Sequence, residues 1–139
     1  MSDATSISMH ITSLRTSSAY QAAAQKISVA STADIESWAR DSSTSDYAHL
    51  RLIIGVWERI AGVILPSKPD QDTVFPCAPV GMMWDKLRPA VDIIRTDLKQ
   101  PYYASQFEEL KDEYQVWGET PAGSRYSTIE KQAICALFG

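Results

Sequence analysis

Between Leu52 and Leu65 the chain is apolar on nearly every side of a helix, interrupted only by Gly55, Glu58, Arg59 and Gly62. A helix that is apolar all round must be covered by other elements, so this stretch predicts the centre of the fold. Tyr47, Leu50, Ile54, Trp57, Ala61 and Ile64 alternate by three and four residues and form one continuous seam. Leu52, Ile53, Val56, Ile60 and Val63 fill the remaining sides. Ser45 or Asp46 can cap this helix, and Pro66 ends it, so it spans about residues 46–65.

The flanking segments have the patterning of helices that would surround such a rod. Residues 1–16 offer Ile7, Met9, Ile11 and Leu14 without sustained apolar backing, and are expected to be a flexible tail ahead of a single helical domain over 17–139. From Ser17 or Ser18, Tyr20, Ala23, Ala24, Ile27 and Ala30 take helical spacing. Ser31 with Asp34, or Thr32, can start a short second helix carrying Ile35, Trp38 and Ala39. The polar run from Asp41 to Ser45 is a linker by composition.

Beyond the rod, Pro66 to Pro79 contains four of the seven prolines and excludes long regular structure. Val74, Phe75 and Cys77 are expected to pin that loop to the core. A helix over about 80–99 carries Met83, Leu87, Val91, Ile94 and Leu98 on one side. Pro89 should kink it and release the carbonyl of Asp85. Ser105-x-x-Glu108 and Ser127-x-x-Glu130 are two capping boxes. They open helices with Phe107, Leu110, Tyr114 and Trp117, and with Ile129, Ala133, Ile134 and Leu137, on their apolar faces. The whole pattern predicts an all-α, compact bundle of four to six helices.

Composition narrows the classes of function. One hundred and thirty-nine residues, 45% of them hydrophobic and 22% charged, suit one globular domain. The formal charge is −4 and the basic residues are scattered, against nucleic-acid binding. No run reaches the ~20 apolar residues of a membrane span, and the first 31 residues lack a secretory-signal pattern. Cys77 and Cys135 are too few for a disulfide framework, which points to reduced thiols and the cytoplasm.

No reaction centre stands out. His10 and His49 have no second ligand at metal spacing, so neither a metal nor a cofactor is expected. A Cys–His pair of Cys77 or Cys135 with His49 lacks anything that would join them. Glu108, Glu109, Asp112 and Glu113 read as the solvated side of an amphipathic helix. Three groups remain. Glu58 interrupts the buried helix and needs a partner, for which Arg88 and Arg95 are the candidates. Trp57, Trp84 and Arg95 could line a pocket beside Pro89. Ala48, Gly55 and Gly62 recur every seven residues as a helix-contact strip, serving internal packing or a homodimer.

The stretch Trp84-x-x-Leu87-x-Pro89-x-Val91-x-x-x-Arg95, followed by Phe107 and Leu110, resembles an uncharacterised bacterial family of small helical proteins. With the helix from Leu52 to Ile64 that precedes it, the likeness covers about residues 50–117. Members often carry an N-terminal membrane anchor, which is missing from this sequence. The resemblance implies a helical fold and a bacterial or phage origin, and supplies no catalytic residue. The sequence thus points to a non-enzymatic interaction or regulatory protein, such as a small inhibitor of a larger host machine. A ligand-binding or enzymatic bundle with a pocket near Pro89 is one rival, and a structural homodimer is the other.

Overall fold

The first three helices of the bundle each begin where a nearby side chain accepts from a free backbone N–H group. A computed structural model describes residues 17–75 and 80–119 of the chain, and among them are six helices and no strand. Helix α1 (Ser18–Ser28) is capped by Ser17, whose side chain accepts from the Tyr20 N–H. Helix α2 (Thr32–Arg40) opens with a full capping box between Ser31 and Asp34, both bonds 3.1 Å long. The linker 41–44 is held by the Asp41 carboxylate, which accepts from the Ser43 N–H at 3.1 Å and from the Ser43 hydroxyl. Those bonds, the hydroxyl's first, hold the Asp41 carboxyl below its usual range.

Helix α3 (Ser45–Ile64) is capped by Thr44, one residue before the expected caps, and Leu65 closes it ahead of Pro66. It touches every other helix of the bundle. Leu50, Ile53, Ile54, Val56, Trp57, Ile60, Ala61 and Ile64 are buried along it. The rod is not covered on all sides, however. Leu52, Gly55 and Val63 are half-buried, and Ala48, Arg59 and Gly62 are exposed. These residues share one strip of the helix, where small side chains and one cation leave little apolar area to protect.

The proline-rich segment holds one element that the proline count hides. Helix α4 (Lys68–Val74) takes Pro69 in its first turn, where the missing N–H would have had no intrahelical partner. Val74 and Phe75 then bury at the core, as the loop-pinning expectation holds, whereas Cys77 lies outside the described residues. Helix α5 (Val80–Asp97) continues through Pro89 and packs along α2. Helix α6 (Ser105–Gly118) lies against α3 and α5. At the centre, Phe107 of α6 stacks on Trp57 at 5.7 Å and meets the edge of Trp84 at 5.1 Å. The chain is therefore an all-α, compact bundle. The tail over 1–16 and the helix expected after Ser127 lie outside the described residues.

Candidate functional site

The start of α6 shows how the charged groups of this molecule are spent. Ser105 and Glu108 do not form the expected capping box. Ala104, in the left-handed region at φ 60°, precedes the helix and no local side chain caps it. The acceptor comes instead from α3, 49 residues away: the Phe107 N–H donates to Glu58 Oε1 at 2.8 Å. Burial raises the Glu58 pKa, and the backbone N–H groups of Phe107 and Gln106, followed by Arg95, pull it back down.

This geometry corrects the ion pair expected for Glu58. Arg88 is exposed and faces Asp92 one turn along its own helix at 3.8 Å. Arg95 donates through Nε to the Tyr103 carbonyl at 2.7 Å and through Nη2 to Glu108 at 3.3 Å. Neither arginine makes a contact pair with Glu58 among the described residues, although Arg95 lies close enough to favour its charged form. The free N–H groups at the start of α6 take the carboxylate, and Arg95 ties the 98–104 turn to the same helix.

Other polar groups are spent in the same way. Gln71 is 2% exposed, and its amide donates to the Ile64 and Leu65 carbonyls and to Glu113. It thereby satisfies the C-terminal carbonyls of α3 and ties α4 to α6. Trp117 donates to Asp72 at 2.9 Å. Glu108 and Glu113, two of the four acids assigned to a solvated face, are thus structural, while Asp112 pairs with Lys111 and Glu109 is exposed. Arg51 lies over the Tyr103 ring at 4.8 Å, and burial pushes the Tyr103 phenol up to about 12. Among the described residues no group of three or more His, Cys, Asp or Glu side chains could hold a metal, and His10, Cys77 and Cys135 lie outside them.

The pocket expected from Trp57, Trp84 and Arg95 does not assemble around those three. Trp84 is sealed into the core against Phe107. Arg95 faces an open, charged depression with Asp92, Thr96, Lys99 and Pro101. Only Trp57 reaches a substantial apolar cleft, of about 600 Å³, between α1, α3 and α5. Tyr20, Ala24 and Ile27 form its α1 wall, Trp57 its floor, and Met82 and Met83 its α5 wall. Ser28, Thr32, Asp85 and Lys86 supply the polar rim, and Lys86 is already engaged by the Ala30 carbonyl. Met82 is 67% exposed, a large apolar side chain standing open at this edge.

Sequence reasoning placed Tyr20, Ala24, Ile27 and Met83 on apolar faces but did not foresee that these faces leave a cleft. The adjacent Met82 and Met83 were the available signal, because two successive residues cannot both face one core from a helix. Along the strip of Ala48, Gly55 and Gly62, Ala48 and Gly62 are exposed and Gly55 is half-buried. A Cβ added to Gly55 would meet nothing within 4 Å, and at Gly62 only the flexible Gln106 side chain comes close. No described helix is long and apolar enough to cross a membrane. No protein-family model matches this chain, and no curated protein or solved structure is significantly similar to it.

Proposed function

We propose that the chain is a non-enzymatic binding protein that receives the apolar face of a partner's helix in the α1–α3–α5 cleft. The cleft carries this reading: its walls are apolar, its floor is a tryptophan and its outer edge is an exposed methionine. Methionine side chains adapt to differently shaped apolar surfaces, which suits helix-in-groove recognition. The disposition of the charged groups supports it too, since Glu58, Arg95, Glu108 and Glu113 are taken up at helix ends and in turns. In concrete form, the protein is a small acidic regulator, of bacterial or phage origin and acting in the cytoplasm, that blocks a larger assembly by holding one of its helices. The resemblance of residues 50–117 to small helical bacterial proteins belongs to the same proposal.

The volume also falls within the range of small-ligand pockets, so an apolar small molecule is the second reading. Comparative capture separates the two. Wild type, Met82→Asp and Arg40→Glu are used to recover proteins from bacterial lysate, with thermal melts confirming that all three fold. A protein held by wild type and Arg40→Glu but lost by Met82→Asp supports the helix reading. Repeated recovery of nothing, together with saturable binding of an apolar small molecule that Met82→Asp abolishes, replaces it with the second.

A further inference from the structure

We propose that the helix taken by the α1–α3–α5 cleft is a basic amphipathic one, with a lysine or arginine beside its apolar ridge that pairs with Asp85. The proposal rests on the reading of the cleft as a helix-binding site and adds the chemistry by which that site selects its occupant.

The cleft follows from how the helices pack. Helix α1 rests mainly on α3, while α2 lies along α5, so α1 and α5 face each other across a gap floored by Trp57. Lys86 bridges that gap: its ammonium donates to the Ala30 carbonyl, just past the end of α1. The last carbonyls of a helix carry partial negative charge, so this end of α1 compensates the lysine. The other charge on the lining is Asp85, which is exposed. Among the described residues its carboxylate has no ion pair or hydrogen bond, and Arg88, one turn on, faces Asp92 instead.

Met82 and Asp85 are three residues apart, so they stand side by side along the outer edge of α5. The cleft thus offers apolar walls and floor, a methionine at its lip, and next to it a carboxylate whose charge no described residue balances. An apolar ridge seated there brings the flank of the incoming helix over Asp85. An acidic flank would set like charges together, whereas a lysine or arginine would complete the pair. The net charge of −4 acts in the same direction at longer range by drawing cationic partners.

The test uses the full chain and two synthetic peptides of about 15 residues, long enough for helix to form on binding. Both carry the same leucine ridge at helical spacing; lysines flank it in one and glutamates in the other. Fluorescence anisotropy reads the affinities, and thermal melts establish that each variant folds. The lysine peptide should bind about fivefold more tightly, the scale of an exposed ion pair. Asp85→Asn should remove most of that preference, and Asp85→Lys should reverse it. Asp97→Lys makes the same charge change at an exposed position roughly 18 Å further along α5 and should leave the preference in place. Met82→Asp should weaken both peptides even though it adds negative charge, because the apolar lip is lost.

Equal affinity for the two peptides, or tighter binding of the glutamate one, with both lost in Met82→Asp, overturns the inference while leaving the cleft reading intact. Equal shifts from Asp85→Lys and Asp97→Lys also overturn it, since the preference then follows net charge alone. Failure of both peptides to bind, or binding that Met82→Asp never weakens, removes the cleft reading and the inference with it.

Discussion

Glu58 answers two opposed demands, and its response to pH follows from their balance. Burial favours the neutral acid, whereas the Phe107 and Gln106 N–H groups and Arg95 favour the carboxylate; burial prevails and the pKa is raised. The folded state therefore binds the Glu58 proton more tightly than the unfolded chain, whose ordinary value is near 4.5. By linkage, the Glu58 contribution to stability is greatest below that ordinary value and falls as pH rises through the raised one. Glu58→Gln keeps an oxygen acceptor and removes the charge. Urea denaturation should show wild type gaining on Glu58→Gln as pH drops from 7 towards 4.5. Glu58→Ala strands a buried N–H at the start of α6, and should cost about 1–3 kcal/mol at neutral pH. Phe107, between Trp57 and Trp84, is the other sensitive side chain; Phe107→Ala should cost about 3–5 kcal/mol and lower the melting temperature sharply.

At the scale of elements, what the sequence reveals depends on how local each cap is. The box of Ser31 with Asp34 links neighbours in the chain, so it is legible in the sequence and is present. Ser105-x-x-Glu108 has the same spelling but does not form: Ala104 rather than Ser105 precedes the helix, the Glu108 N–H donates to the Ala104 carbonyl, and the Glu108 carboxylate turns to Arg95. Nothing local announces a cap that comes from another helix. The same holds for Gln71, whose amide serves carbonyls six and seven residues back and a carboxylate 42 residues on. Gln71→Leu should lower stability by about 1–3 kcal/mol, measured by urea denaturation, since it leaves buried acceptors of α3 unsatisfied. Gly55 makes the opposite case. A methyl group there meets nothing among the described residues, so Gly55→Ala should stabilise the protein by roughly 0.5–1 kcal/mol through helix propensity alone. A loss of stability would instead reveal that something seats on that strip.

For the whole molecule, periodicity was sufficient to read the class. Seams at three and four residues along α1, α3, α5 and α6 specify helices, and one apolar rod specifies what lies at the centre. Periodicity says which faces are apolar and is silent on how completely neighbours close over them, so only the adjacent Met82 and Met83 hint at the cleft beside Trp57, and the pocket expected at Pro89 does not assemble. The open strip of α3 has the same origin: Leu52 and Val63 count as apolar cover, yet they share it with Ala48, Gly55, Gly62 and Arg59. The strip also sets the terms of the homodimer reading. Light scattering at high protein concentration distinguishes them: a dimer through the strip should dissociate on Gly55→Leu, and a monomer of unchanged mass in both proteins excludes it.

The bond from Phe107 to Glu58 also bears on how the molecule comes into being. During synthesis the carboxylate emerges 49 residues ahead of the amide it will hold. Until then α6 has no stopper for its first turn, and a peptide cut from residues 98–119 should remain largely unstructured by circular dichroism. The middle of the chain should then serve as a template on which the later helix is set, an order that the behaviour of the isolated peptide tests.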